Sequence, residues 1–219
     1  MSNLQLQFID FALQCDVLRF GNFRTKAGRP SPYFFNAGLF NDGFTLKQLG
    51  QFYAQTIVAS GIRFDALFGP AYKGIPLVST IAIALAEAGH NHSFSFNRKE
   101  IKDHGEGGSI VGAPLAGRIL IVDDVISAGL SVGESITLIR AAGATPCGII
   151  VALDRMEKGA SEHSTLQEIK NQYAIPVVSL ITLDNIVTYL RTRQDLAHHI
   201  RAIETYRTLY GPTINAADQ

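Results

Sequence analysis

Short runs rich in β-branched and aromatic residues, at 64–68, 92–96, 118–122, 147–153 and 177–181, alternate with helical patterns from the middle of the chain onward. That alternation restricts the fold severely. Continuous apolar runs suit strands buried on both faces, and helices between them imply right-handed crossovers onto a mainly parallel sheet. The helices carry punctuation. One starts near Pro76, a favourable first-turn residue, and stops at Gly89. Another covers about 130–142, with Val132, Ile136 and Ile139 on one face and Gly143 as its expected C-cap. A third begins at Ser164, which forms a capping box with Gln167, and turns Leu166, Ile169 and Tyr173 inward. Amphipathic patterns at 6–17 and 45–60 precede this core, and others at 183–190 and 195–210 follow it. The reading is α/β: a mainly parallel central sheet flanked by helices, in a single domain over 1–219 with an N-terminal elaboration.

Composition excludes several classes. Lys plus Arg and Asp plus Glu each number 19, so the net charge is zero, which argues against a broad electrostatic grip on nucleic acid or anionic lipid. The apolar stretch 75–88 is interrupted by Pro76, Ser79 and Thr80 and falls short of the roughly 20 residues that span a bilayer. Residues 1–7 lack the basic region and apolar run of a secretory signal. Cys15 and Cys147 stand apart, without metal-ligand or redox spacing. A cytoplasmic protein, with neither a nucleic-acid nor a membrane partner, is expected.

In an open parallel sheet, ligands bind where strands end and loops turn into helices. Strand 119–122 ends in Asp123-Asp124, then Val125-Ile126, then Ser127-Ala128-Gly129 before a helix. Small residues let backbone N–H groups approach an anion, and the helix start adds positive partial charge. Carboxylates beside a phosphate site make sense as acceptors for sugar hydroxyls. Read alone, however, the acid pair equally describes a capped turn. A second strand end, Gly69-Pro70-Ala71-Tyr72-Lys73-Gly74, offers an anion nest with one cation, or a plain connection with an exposed lysine. After Phe96 comes Asn97-Arg98-Lys99-Glu100-Ile101-Lys102-Asp103-His104-Gly105-Glu106-Gly107-Gly108. Its three cations, histidine and clustered glycines describe a polar loop able to close over a polyanion; a solvated hairpin is the plainer alternative. Only 17% of the chain is charged, so this concentration favours function.

Together these motifs resemble the type I phosphoribosyltransferases, and among them the orotate phosphoribosyltransferases of bacteria and fungi. The most specific stretches are Lys26-Ala27-Gly28-Arg29-Pro30-Ser31-Pro32-Tyr33-Phe34-Phe35-Asn36, Phe68-Gly69-Pro70-Ala71-Tyr72-Lys73-Gly74, the Arg98–Gly107 segment and Leu153-Asp154-Arg155. The resemblance covers nearly the whole chain up to about Gly211. It implies transfer of a phosphoribosyl group from 5-phosphoribosyl 1-pyrophosphate (PRPP) to orotate, giving orotidine 5-phosphate and pyrophosphate in UMP biosynthesis. It also implies residues 1–40 as a hood over the base site and Mg²⁺ held mainly by substrate oxygens and water. A homodimer is implied, whose catalytic loop serves the neighbouring subunit. By the same resemblance Lys102, Asp124, His104 and Lys99 are the catalytic candidates. PRPP falls to Lys26, Tyr72, Lys73, Arg98, Lys99, Lys102, His104, Asp123 and Asp124, with Val125, Ile126, Ser127, Ala128, Gly129, Leu130 and Ser131 around its 5-phosphate. Orotate falls to Phe34, Phe35, Ser127 and Arg155.

Two positions depart from the family pattern. The usual Thr-Ala-Gly-Thr is Ser127-Ala128-Gly129-Leu130 here, so one hydroxyl is lost and Ser131 is the residue able to replace it. The usual Lys-Ser-Gly-Arg is Lys26-Ala27-Gly28-Arg29. Two alternatives rank lower. A phosphoribosyltransferase for a purine would not need Arg155 beside an anionic base. A regulatory relative that binds RNA or DNA fits neither the zero net charge nor the complete-looking catalytic loop.

Overall fold

The computed structural model describes residues 1–25, 28–102, 108–126, 130–159 and 161–212. In chain order, α1 (Asn3–Gln14) leads into an antiparallel pair, β1 (Leu18–Arg24) and β2 (Pro30–Phe35), then α2 (Gly43–Ser60). The α/β core follows as β3 (Ala66–Gly69), α3 (Gly74–Glu87), β4 (Ser93–Lys102), β5 (Gly108–Gly112), β6 (Arg118–Val125), α4 (Leu130–Ala141), β7 (Thr145–Asp154), α5 (Thr165–Tyr173) and β8 (Val177–Thr182). Helices α6 (Leu183–Thr192) and α7 (Ile200–Tyr210) are the last α-helices among the described residues.

Among the described residues the main sheet has six strands in the order β5-β4-β3-β6-β7-β8. All its pairings are parallel except β4 with β5. The period-two rule of a strand divides its residues between two cores. Leu67, Leu120, Val122, Ile150 and Ala152 face the larger cluster, with α1, α2 and α3. Ala66, Phe68, Ile119, Ile121, Ile149 and Val151 face the smaller one, with α4 and α5. Both faces are covered, as the unbroken apolar runs require.

Helix ends follow local chemistry. The Asp42 carboxylate accepts from the Phe44 and Thr45 N–H groups at the start of α2. Ser164 accepts from the Gln167 N–H at the start of α5. Gly143, past the end of α4, takes a positive φ of 78°.

One expectation needs correcting. The polar stretch after Phe96 is not a loop throughout, since β4 continues to Lys102 and turns back antiparallel on β5. Strand β3 pairs with β4 only as far as Phe96. Beyond it β4 and β5 form a two-stranded ribbon free of the main sheet, which removes the need for an apolar face and admits a run of charge. The β1–β2 pair was expected only as an unspecified elaboration.

The chain passes from β3 outward to β4, then returns to the other side of β3 as β6. The carboxyl ends of β3 and β6 therefore flank the switch point, where open sheets hold ligands.

Candidate active site

The end of β6 delivers Asp123 and Asp124, and the turn after β3 delivers Ala71, Tyr72 and Lys73. Lys73 Nζ donates to Asp124 Oδ2 at 2.6 Å, closing the crevice between two strands adjacent in space and 51 residues apart in sequence. Asp123 is 7% exposed and held from several sides. Its Oδ1 accepts from the Asp124 N–H (2.9 Å), its Oδ2 from the Ser131 hydroxyl (3.1 Å), and its backbone oxygen from the buried Tyr53 hydroxyl (2.8 Å). Ser131 thus has its hydroxyl proton directed at the acid. Burial first, and the neighbouring Asp124 second, raise the Asp123 pKa to about 6.

The turn that carries Lys73 is tight. Gly74 N–H donates to the Pro70 carbonyl (2.9 Å), Ala71 N–H donates to Asn97 Oδ1 of β4 (2.8 Å), and the Ala71–Tyr72 peptide is cis. Tyr72 is exposed, with Lys99 Nζ 5.2 Å from its ring centre. A cavity of about 140 Å³ adjoins the ion pair, with Phe40, Leu46, Leu49 and Leu77 on its apolar wall and Lys73 and Asp124 at its polar edge. Two acids fixed at a strand end, a cation across the crevice and a helix start behind them suit a polyhydroxylated phosphate ester.

A further candidate side chain stands past the end of β7. Arg155, just past its end, lies over the Tyr33 ring of β2 at 4.4 Å and donates from Nη2 to Ser31 (3.2 Å). Phe34 is half-buried and stacks on Phe23 at 5.4 Å, while the Phe35 side chain belongs to the core. None of Phe34, Phe35 and Arg155 lines the cavity.

Residues 41–180 match the phosphoribosyl transferase domain family. The orotate phosphoribosyltransferase of Nitrosomonas europaea is 87% identical over 214 residues, covering 98% of this chain and 94% of that one. That of Nitrosospira multiformis is 65% identical and covers 96% and 92%. The chain belongs to the orotate phosphoribosyltransferase family. A crystal structure of the Francisella tularensis member superposes with a TM-score of 0.85 at 40% identity, covering 94% of this chain and 99% of that one.

Against the residues that this phosphoribosyltransferase was expected to use, the placement is uneven. Tyr72, Lys73, Asp123, Asp124, Val125, Ile126 and Ser131 gather around the ends of β3 and β6, and Arg155 stands at the end of β7 beside β2. Arg98 and Lys99 lie on the β4–β5 ribbon, where Lys102 is placed by its backbone opposite Gly108. Leu130 opens α4. Lys26, His104, Ser127, Ala128 and Gly129 lie outside the described residues. Sequence reasoning missed Tyr53 and Asn97, which orient the site through contacts 70 and 26 positions apart in the chain, and Glu157, which holds Arg155 from two positions away. Among the described residues no group of three or more His, Cys, Asp or Glu is placed to hold a metal ion, and no helix is long and apolar enough to cross a membrane.

The raised pKa of Asp123 has a stability consequence. The folded state keeps the proton to higher pH than the unfolded chain, so this acid costs nothing below about pH 4 and its full penalty above about pH 6. Asp123→Asn keeps the shape and removes the charge. At pH 7.5 it should raise stability by on the order of 2 kcal/mol, with no gain at pH 4. Thermal unfolding across that range checks this; an Asn variant less stable at pH 7.5 would contradict it.

Proposed function

We propose that this chain transfers the 5-phosphoribosyl group of PRPP to orotate, forming orotidine 5-phosphate and pyrophosphate in UMP biosynthesis. The Lys73–Asp124 pair across the β3/β6 switch point carries the reading, because it sets a cation beside hydroxyl-accepting acids at the sheet's ligand-binding edge. Asp123 and Asp124 accept the ribose hydroxyls. Residues 125–131 cradle the 5-phosphate, and Lys26, Tyr72, Lys73, Arg98, Lys99, Lys102 and His104 surround the pyrophosphate. The base lies under a hood formed by residues 1–40, against the backbone near Phe34 and Phe35, with Ser127 and Arg155 meeting its polar edge.

At the anomeric carbon, the bond to pyrophosphate oxygen breaks as the bond to the base nitrogen forms, and the proton that nitrogen carried passes to water or to the departing pyrophosphate. Positive character develops on the sugar and negative charge on the leaving group, so cations held at the pyrophosphate stabilise the transition state more than the ground state. Lys102 on the ribbon is the leading candidate. Asp123 and Asp124 offer hard oxygen donors that suit Mg²⁺ through water, with substrate oxygens completing its shell. Bound there, the ion would offset charge on pyrophosphate.

The active form is a cytoplasmic homodimer whose β4–β5 loop serves the partner's site.

The test supplies protein, Mg²⁺ and PRPP with one base at a time and follows ultraviolet absorbance. Orotate should turn over, whereas adenine, hypoxanthine and uracil should not. Turnover of a purine with none of orotate would overturn the assignment.

A further inference from the structure

Arg155 carries five N–H donors in a rigid fork, and the protein directs most of them. Nε donates to Glu157 Oε1 at 2.6 Å, and Nη2 donates to Ser31 Oγ at 3.2 Å and to the Tyr206 hydroxyl at 3.3 Å. The Tyr206 hydroxyl in turn donates to the same Glu157 oxygen at 2.7 Å, which closes a triangle around one side of the fork. The Tyr33 ring supports the guanidinium face. Among the described residues Nη1 alone has no protein hydrogen-bond partner.

Tyr206 is itself well fixed. It is buried on α7, edge-on to Tyr33 at 6.0 Å and tilted against Tyr210 at 4.8 Å. Glu157 is further tied to Arg29 at 3.7 Å. Arg155 lies within the stretch shared with phosphoribosyl transferase domains generally, 41–180, whereas Ser31, Tyr33 and Tyr206 all lie outside it. Apart from Glu157, which lies within that stretch, the groups that aim the arginine are supplied by the N-terminal hairpin and the last described helix.

We propose that Tyr206 is a positioning residue for the anionic base, holding Arg155 with Glu157 so that its Nη1 edge is presented to orotate. The proposal rests on Arg155 as an orotate contact. A flexible arginine would lose side-chain freedom on binding; one already held by three partners loses little, and the base gains a donor pair at fixed geometry. Helix α7 thereby acts on base recognition although it contributes no group to the base itself.

Steady-state kinetics on Tyr206→Phe, Arg155→Gln and the double variant test this, with thermal unfolding alongside. Tyr206→Phe keeps the ring packing and removes the hydroxyl. It should raise the KM for orotate by about tenfold, the scale of one hydrogen bond to a charged group. kcat and the KM for PRPP should stay near the wild-type values. In the Arg155→Gln background the same substitution should add no further rise, because its effect runs through the arginine. Ser31→Ala, which removes the other Nη2 partner, should shift the orotate KM in the same direction. An unchanged orotate KM in Tyr206→Phe, whatever happens to thermal stability, would reduce the triangle to a fastener of α7 and overturn the proposal. An unchanged orotate KM in Arg155→Gln would instead remove Arg155 from the base site. The two failures are distinguishable.

Discussion

Lys102→Ala should lower kcat by a factor on the order of 10² or more, the usual loss when one preorganised electrostatic group is removed from a transition state. The physical reason lies in where charge appears. Pyrophosphate leaves with growing negative charge, and the strand-end acids cannot stabilise it. Cations on the β4–β5 ribbon can, and the ribbon stands free of the main sheet beyond Phe96, where closure would not disturb the core. Binding of PRPP should weaken less than turnover, since Lys73 and the 5-phosphate loop remain. Near-normal kcat would remove Lys102 from this role. A heterodimer of one Lys102→Ala subunit and one Asp124→Asn subunit distinguishes sharing from self-sufficiency. If the ribbon serves its neighbour, one of the two sites is intact and activity returns. If each subunit uses its own ribbon, both sites are damaged and activity stays low.

Gly69→Ala should destabilise the fold by about 3 kcal/mol or more, at the upper end of overpacking penalties. A Cβ at Gly69 would lie 2.2 Å from the Gly74 carbonyl oxygen and 2.7 Å from Val78 Cβ. The first is backbone at the start of α3, so no side-chain rotation relieves the clash. The close approach of β3 to α3 makes the turn tight enough to bring Lys73 onto Asp124. Relief by a backbone shift would therefore open the crevice as well. Denaturant unfolding should show a lower midpoint with an unchanged slope. A variant as stable as wild type would contradict the packing described here.

The parallel core was readable because its residues are buried on both faces. Runs at 118–122 and 147–153 lie inside β6 and β7, and an apolar run of that kind has few other uses. The ribbon was legible only as the plainer alternative of a solvated hairpin, and the β1–β2 pair was not legible, for a related reason. Residues 97–102 pair only with β5, so no buried face imposes alternation, and charge there resembles a loop. In the β1–β2 pair the register slips between Phe20 and Phe23, and Pro30 and Pro32 interrupt the donors of β2. A two-stranded edge tolerates both defects, but they erase the strand signature.

The site was legible to a similar degree. Asp123-Asp124 stood out at a strand end, although local sequence could not separate a sugar site from a capped turn. The adjacency of β3 and β6 places Lys73 2.6 Å from Asp124, which supports the proposed sugar site and is a property of topology alone. Arg155 is assigned to the base only by the family resemblance. The triangle that orients it joins residues 49 and 51 positions apart, beyond the reach of any local pattern.

Phosphorus NMR of the complete reaction tests the central claim most directly, because it resolves pyrophosphate, PRPP and a nucleoside monophosphate in one sample. With protein, Mg²⁺, PRPP and orotate, pyrophosphate and orotidine 5-phosphate should accumulate in equal amounts, and neither should form when orotate is omitted. Pyrophosphate released without nucleotide, or nucleotide formed from a purine and not from orotate, would contradict it.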